Sequence, residues 1–304
     1  IIVYAKNYKF MQLKITIGFV LMIVLSAQGQ GMIDGFMRGR GNLTTALSYS
    51  TESYDTYYVK DSAVNNPNLG IISTTSVNLF AAFGATKYLD VVIGLPFVSA
   101  NASQGYWSTQ SALQDFSIYL KGRVYEKDFG ALGKLSAMAA AGYIVPASNY
   151  VPDAPVAIGH RSKNLEGRLL VQYRLPFGLF VMTQGGYIQR GNITIDRGYE
   201  VSVPDAWDYV VRVGGSYKIF YADAWLNIQR ARSGTNIGAG VPFPTNAVSY
   251  QRAGFTLYSS VPPIKNLGVS AGMSFTLSGE NIGKATRLSI GIVYNLPVIK
   301  DNNN

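Results

Sequence analysis

The chain has 304 residues, a formal net charge of +9, one histidine and no cysteine, with 48% hydrophobic and only 14% charged residues. Ordinary soluble domains carry about 25% charged residues, so this balance of high hydrophobicity and low charge excludes a disordered chain. The lack of cysteine excludes a disulfide scaffold, a thiol nucleophile and a zinc ribbon.

In chain order, the first element is a leader. Met11 is the expected initiator, Lys14 supplies a positive charge, and Ile15 to Leu25 (ITIGFVLMIVL) forms a short apolar core. Ala27-Gln28-Gly29 then places small residues where a signal peptidase cuts, leaving Gln30 as the mature N-terminus. This is the layout of a secretory signal peptide over residues 1–29, and its core is too short for a spanning helix. Residues 30–304 are therefore expected to be exported. Without the three lysines ahead of residue 29 the net charge falls to +6, too diffuse for a nucleic-acid partner.

The exported part alternates with period 2 nearly throughout. In Asn164–Leu175 (NLEGRLLVQYRL) the even positions carry Glu166, Arg168, Gln172 and Arg174, and the odd ones Leu165, Leu169, Val171 and Tyr173. A strand sends these two sets to opposite faces. The same pattern sets Asp208, Arg212 and Lys218 against Tyr209, Val211 and Val213, and sets Asp115, Lys121 and Arg123 against Ile118, Leu120 and Val124. Twelve strands are expected, at 41–52, 70–85, 91–99, 112–125, 133–146, 164–176, 179–190, 206–218, 221–230, 248–261, 267–279 and 285–297. Most are longer than the ~5–6 residues usual in globular sheets and match a tilted membrane strand. Tight connections alternate with long polar ones near 53–69, 100–111, 147–163, 191–205 and 231–247. The expectation is an all-β fold, an antiparallel up-and-down transmembrane β-barrel of about 12 strands in the bacterial outer membrane. A secreted β-sandwich also alternates, but it gives no reason for the long-short loop rhythm, for Trp207, Tyr209, Tyr173 and Tyr294 near strand ends, or for ionic groups on the opposite face.

A tight turn followed by Leu89-Asp90-Val91-Val92-Ile93-Gly94-Leu95-Pro96-Phe97, after a first hairpin beginning GNLTTALSYSTESYD and before SALQDFSIYLKGRVYE, resembles the bacterial outer-membrane proteins of the meta-pathway phenol-degradation type. Those proteins are treated as transporters, and the resemblance covers most of the exported chain in order of elements. It implies an outer-membrane barrel and carries no substrate with it.

On this parity the barrel interior collects Asp115, Lys121, Arg123, Glu166, Arg168, Arg174, Asp208, Arg212, Lys218, Asp223, Arg252 and Arg287 as lumen-lining residues. Eight cations then face four anions. Two readings stay open: a solvated lumen with positive excess, acting as a channel or porin-like transporter for small polar, anionic or aromatic solutes, or an ion-paired plug in a closed structural or partner-binding barrel. Twelve strands fall between small filled barrels and wide aqueous ones. A third reading is a hydrolase using His160, with Asp153 and loop serines at hand, but such residues are ordinary in external loops. No enzyme activity, catalytic residue, cofactor or metal site is expected. The expected partners are outer-membrane lipid and a small-molecule solute, with room for a homo-oligomer.

Overall fold

A computed structural model of the protein describes residues 33–59 and 62–299. The expected leader lies outside the described residues. Twelve long strands appear in the expected order: β1 (Asn42–Tyr54), β2 (Ile72–Gly84), β3 (Leu89–Ala102), β4 (Asp115–Asp128), β5 (Lys134–Pro146), β6 (Asn164–Arg174), β7 (Leu179–Arg190), β8 (Ala206–Tyr217), β9 (Phe220–Ala231), β10 (Ser249–Ser260), β11 (Leu267–Glu280) and β12 (Thr286–Pro297). Each pairs antiparallel with its successor, and β12 returns to β1 in continuous register from Asn42↔Pro297 to Ser53↔Thr286. The sheet is thus a closed barrel. Closure is obligatory in hydrocarbon, where an open edge would leave a row of backbone groups unpaired at several kcal/mol each.

The burial pattern gives the faces. Along β6, Leu165, Leu169 and Val171 are exposed on the outside, whereas Glu166, Leu170 and Gln172 are buried inside. Along β8, Trp207, Tyr209, Val211 and Val213 point out, and Asp208 and Arg212 point in. The outer face is an apolar band with tyrosines and tryptophans near its rims, as lipid contact requires.

The largest departure from the expected strands is at 112–125. Residues Gln110–Leu113 form a short strand on the upper part of β3, and β4 begins only at Asp115. Pro96 of β3 has no N–H to give to the ladder, so the pairing cannot run straight past it. Gln114 is the inserted residue, its amide donating to the Pro96 carbonyl at 2.9 Å. The insertion restores phase, returning Ser117, Tyr119 and Lys121 to the interior. A second bulge, where Arg123 pairs with Met138 and Tyr125 with Ala137, pushes Val124 outward and lets β4 continue to Asp128.

Short turns at 85–88, 129–133, 175–178, 218–219 and 261–266 gather at one end, and the long loops at the other. The long loops are tied together. Thr56–Val59 pairs with Ser62–Asn65 and Ile282–Gly283, burying Tyr58 with its hydroxyl on the Leu277 carbonyl. Arg161 donates to Asn149, to the Tyr150 carbonyl and to the Thr194 carbonyl, and Arg197 pairs with Asp153 at 2.8 Å.

Ahead of β1, the segment from Ile33 to Gly39 runs inside the barrel toward the short-turn end, a placement with no counterpart in the alternating pattern. Ile33 is buried in one cluster with Val92, Met138, Leu170 and Met182. Phe36 meets Phe180 edge-on at 5.3 Å and Tyr221 at 6.0 Å. The segment therefore packs mainly against the β3–β7 wall, with contacts reaching Ala82 on β2 and Tyr221 on β9, and leaves the β10–β12 side uncovered.

Two neighbouring substitutions check the facing of β6. Leu169→Arg, on the lipid face, is expected to cost about 2–4 kcal/mol of folding free energy into lipid vesicles near the bilayer midplane. Leu170→Arg should disturb the packing of Ile33 and the N-terminal segment while leaving insertion intact. Equal loss of insertion into lipid vesicles in the two variants would contradict this assignment of faces.

Candidate functional site

The interior holds a set of buried ion pairs. The Lys121 ammonium, 1% exposed, lies 3.2 Å from the Asp90 carboxylate and 3.0 Å from that of Asp34, and donates to the Phe36 carbonyl at 2.7 Å. Asp34 also pairs with Arg38, whose backbone N–H donates to Asp90 at 3.1 Å. Burial alone would raise the Asp34 carboxyl, but Arg38 and Lys121 beside it hold it well below the usual carboxylate range. A buried charge is tolerable only when paired and hydrogen-bonded, so this cluster fixes the N-terminal segment to β3 and β4.

A second cluster lies higher on the wall. Arg168 pairs with Glu166 and with Asp208 at 2.7 Å, and Glu166 accepts from the Tyr119 hydroxyl at 2.7 Å. Gly186 stands between Arg168 and Asp208 in the register. Any Cβ there would sit 2.9 Å from the Arg168 side chain, so only glycine lets the guanidinium cross that strand. Arg212 pairs with Asp223 at 3.2 Å, and the Tyr221 hydroxyl donates to the same carboxylate. Asp115 accepts from Tyr150, whose hydroxyl pKa is pushed up by burial and by Asp115 itself.

Of the other expected lumen residues, Arg123 sits at the short-turn rim with Glu126 at 2.6 Å and the Tyr88 ring beneath it. Lys218 does not face the lumen. It occupies the β8–β9 turn at φ 53°, with its ammonium over the outward Tyr217 ring. The expected strand ran through 218, whereas β8 ends at Tyr217 and the chain reverses there. Four acids that the parity count passed over, Asp34, Glu52, Asp90 and Glu126, enter the interior network. The expected cationic surplus shrinks accordingly. Among the described residues it rests with Arg190 at the outer rim and with Arg174 and Arg287, none of which has a carboxylate within ion-pair distance. Arg174 lies over the Phe36 ring at 5.0 Å, and Arg287 donates to Ser50 at 2.8 Å and to Ser76 at 3.3 Å.

The wall that the N-terminal segment leaves bare is built differently. Its inward positions are Ser48 and Ser50 on β1, Ser76 and Asn78 on β2, Thr256 on β10, Ser270, Ser274 and Thr276 on β11, and Ser289 on β12. Between this wall and the segment lies a cavity of about 720 Å³, lined at one end by Arg252, Arg287 and Asp115 and at the other by Thr44, Ser216 and Val293, with Phe36, Phe80, Tyr221 and Trp225 along it.

His160 lies in the loop between β5 and β6. Burial and the nearby Arg190 charge lower its pKa from 6.5 to about 4. Asp153 is engaged by Arg197 and by the Phe243 amide, so it does not orient a histidine base. No group of residues with metal-holding composition occurs among the described residues.

The chain is similar to the COG4313 outer-membrane channel of Pseudomonas putida F1, with a TM-score of 0.71 and 15% identity over 88% of this chain and 100% of that one. It is also similar to the NanC porin, with a TM-score of 0.51 and 7% identity over 84% of this chain and 100% of that one. No protein-family model matches the sequence, and no curated protein sequence does. The fold is that of a bacterial outer-membrane barrel.

Lys121→Met would leave Asp34 and Asp90 without their shared cation and should destabilise the folded barrel by about 3–5 kcal/mol, read from denaturant unfolding. Adding Asp34→Asn and Asp90→Asn should recover part of that loss. His160 gives a pH signature of known sign. Its folded-state pKa lies below the unfolded value, so the unfolded chain binds the extra proton between about 6.5 and about 4. Stability is therefore full above that window and falls as pH drops through it. The pH slope of unfolding should flatten in His160→Gln.

Proposed function

We propose that the protein is an outer-membrane channel, a porin-like transporter of small polar, anionic or aromatic solutes. One observation carries this reading: the elongated cavity beside the N-terminal segment, which follows the hydroxyl-rich wall from the long-loop half of the lumen to the short-turn half. Tyr258 lines it and also lines a second cavity of about 310 Å³, with Ser260, Asn266 and Asn295, at the short-turn rim. A path of hydroxyls and guanidiniums suits a solute that must shed water only in part. Residues 1–29 serve as the export leader in this reading, the apolar outer band meets lipid, and the residues quoted above align the chain with the meta-pathway phenol-degradation type. The lumen-lining role falls to Asp115, Lys121, Arg123, Glu166, Arg168, Arg174, Asp208, Arg212, Asp223, Arg252 and Arg287.

The second reading, a closed structural or partner-binding barrel, draws its support from the ion pairs. Lys121, Arg168 and Arg212 each have carboxylate partners, as fillers of a rigid interior would.

Conductance in planar bilayers separates the two. The channel reading expects ion flow with a modest preference for anions at low salt, because Arg174, Arg252 and Arg287 lie along the cavity and charged walls focus the field. That preference should fade as the Debye length drops from about 10 Å at 0.1 M to about 3 Å at 1 M salt. Replacing the three arginines with glutamine should move the anion-to-cation permeability ratio toward one. A folded barrel with no current at any salt would favour the closed reading.

A further inference from the structure

The bare wall of the lumen holds a specific group of donors. One hoop of inward positions runs across five strands: Trp225 pairs with Gly254, Gly254 with Ser274, Ser274 with Arg287, and Arg287 with Glu52. Gly254 contributes no side chain, and a Cβ there would come within 2.5 Å of the Trp225 ring, so the indole lies across that strand toward Ser274. One step along β10, Arg252 donates to Thr276 at 3.1 Å and reaches Glu52 at 3.6 Å. Glu52 thus pairs with Arg252 alone, and among the described residues the Arg287 guanidinium bonds to the hydroxyls of Ser50 and Ser76.

Within this region several buried polar atoms have no hydrogen-bond partner in the protein: Trp225 Nε1, Arg287 Nε, Thr256 Oγ1, Ser270 Oγ and Ser289 Oγ. Trp225, Thr256, Ser270 and Arg287 all line the 720 Å³ cavity. Native interiors leave few such groups unsatisfied, because each costs its full desolvation penalty. Of the twelve such atoms among the described residues, six lie on β9 to β12, and those of Trp225, Thr256, Ser270 and Arg287 belong to residues around the cavity, whereas those of Gln172, Gln184 and Arg212 lie elsewhere. The donors are of a kind that suits a planar anion: a guanidinium takes a carboxylate two-pronged, and the indole N–H adds a further donor. Glu52 pairs with Arg252, and Asp115 at the same end of the cavity accepts from Tyr150, so neither acid lies within ion-pair distance of Arg287. The indole face of Trp225 and the ring of Phe80 supply apolar cover for the rest of such a molecule.

We infer that Arg287 and Arg252, with Trp225 and the surrounding hydroxyls, form a binding site for the carboxylate of a small organic acid with an apolar body. The inference rests on the channel reading, of which it names the solute class. Arg287 is the primary contact and Arg252 the secondary one, since Arg252 keeps its partner Glu52. The cavity is the size of those that enclose small ligands, about 300–1,000 Å³.

Benzoate is the probe and benzamide its uncharged counterpart. The chain has three tryptophans, so Trp107→Phe and Trp207→Phe together leave Trp225 as the reporter. In that background the folded barrel should show a saturable benzoate-dependent change in fluorescence, with benzamide at least about tenfold weaker, the loss expected for one charge-assisted hydrogen bond. Arg287→Gln should lower benzoate affinity by a similar factor, Arg252→Gln by less, with folding of each variant checked by heat-modifiable electrophoretic mobility. Where Arg287→Gln fails to fold, Arg287→Lys decides: it keeps the charge, loses the fork, and should still weaken benzoate several-fold. Equal binding of benzoate and benzamide, unchanged affinity in the arginine variants, or no retention of benzoate in equilibrium dialysis would overturn the assignment. Potassium chloride current through the same preparations is read separately. Its absence with benzoate binding intact would overturn the channel reading and leave the site, whereas current without benzoate selectivity would do the reverse.

Discussion

Everything in this molecule follows from the pairing of β12 with β1. A chain that crosses hydrocarbon as strands must satisfy every backbone N–H and C=O within itself, and only a closed sheet does so. The register from Asn42↔Pro297 to Ser53↔Thr286 supplies that closure. Once the sheet is closed, the pleat has no freedom left. One set of side chains meets lipid, the other meets the lumen, and a slip of one residue would exchange them all. The bulges at Gln114, at Val124 and at Leu277, which falls between the partners of Gln251 and Arg252, are places where the chain adjusts its phase, the first forced by a proline in the neighbouring strand.

The lumen that closure creates is divided. On the β3–β7 side, Ile33, Phe36 and the Asp34–Lys121–Asp90 cluster fill the space with apolar packing and paired charge. On the other side, small hydroxyl residues leave room, and Arg287 stands without an ionic partner. This division reconciles the two roles that interior charges can play. Paired carboxylates and cations hold the filled half rigid, while Arg287 on the open wall and Arg174, reaching from β6 over the Phe36 ring, both line the cavity. Charge surplus matters less here than where the unpaired cations lie.

The barrel was legible in the sequence because its signal is periodic. The alternation in Asn164–Leu175 and in Asp208–Tyr217 gives the faces of β6 and β8 directly, and the loop rhythm gives the strand number. Glu52 was equally legible, since it shares parity with Ser48 and Ser50 on β1, but it lies at a strand end where a count of core positions passes over it. Asp90 was hidden by its assignment to a turn: β3 begins at Leu89, two residues earlier than the apolar run suggests. Lys218 failed for the converse reason, because a positive-φ reversal replaces the last residue of the expected strand. The N-terminal segment could not be read at all from periodicity. Ile33 to Gly39 alternates with nothing, and its place is set by tertiary contacts to residues up to 185 positions away, such as Phe36 with Tyr221.

That enclosed segment bears on how the chain assembles. Neighbouring hairpins form by local pairing, but the β1–β12 seam joins positions 42 and 297, the most distant partners in the sheet. Pairings of high sequence separation come late, because their loop-closure entropy must be met before their contacts contribute. Residues 33–39 sit immediately ahead of the strand that makes the seam. Their docking sites on β3 to β7 lie on strands that precede β12 in the chain and do not need it. The order that costs least is therefore segment first and seam last, so that the barrel is built around its own filling. Lys121, held by Asp34 on one side and Asp90 on the other, then acts as an early fastener, and the wall opposite it is the last surface to be enclosed.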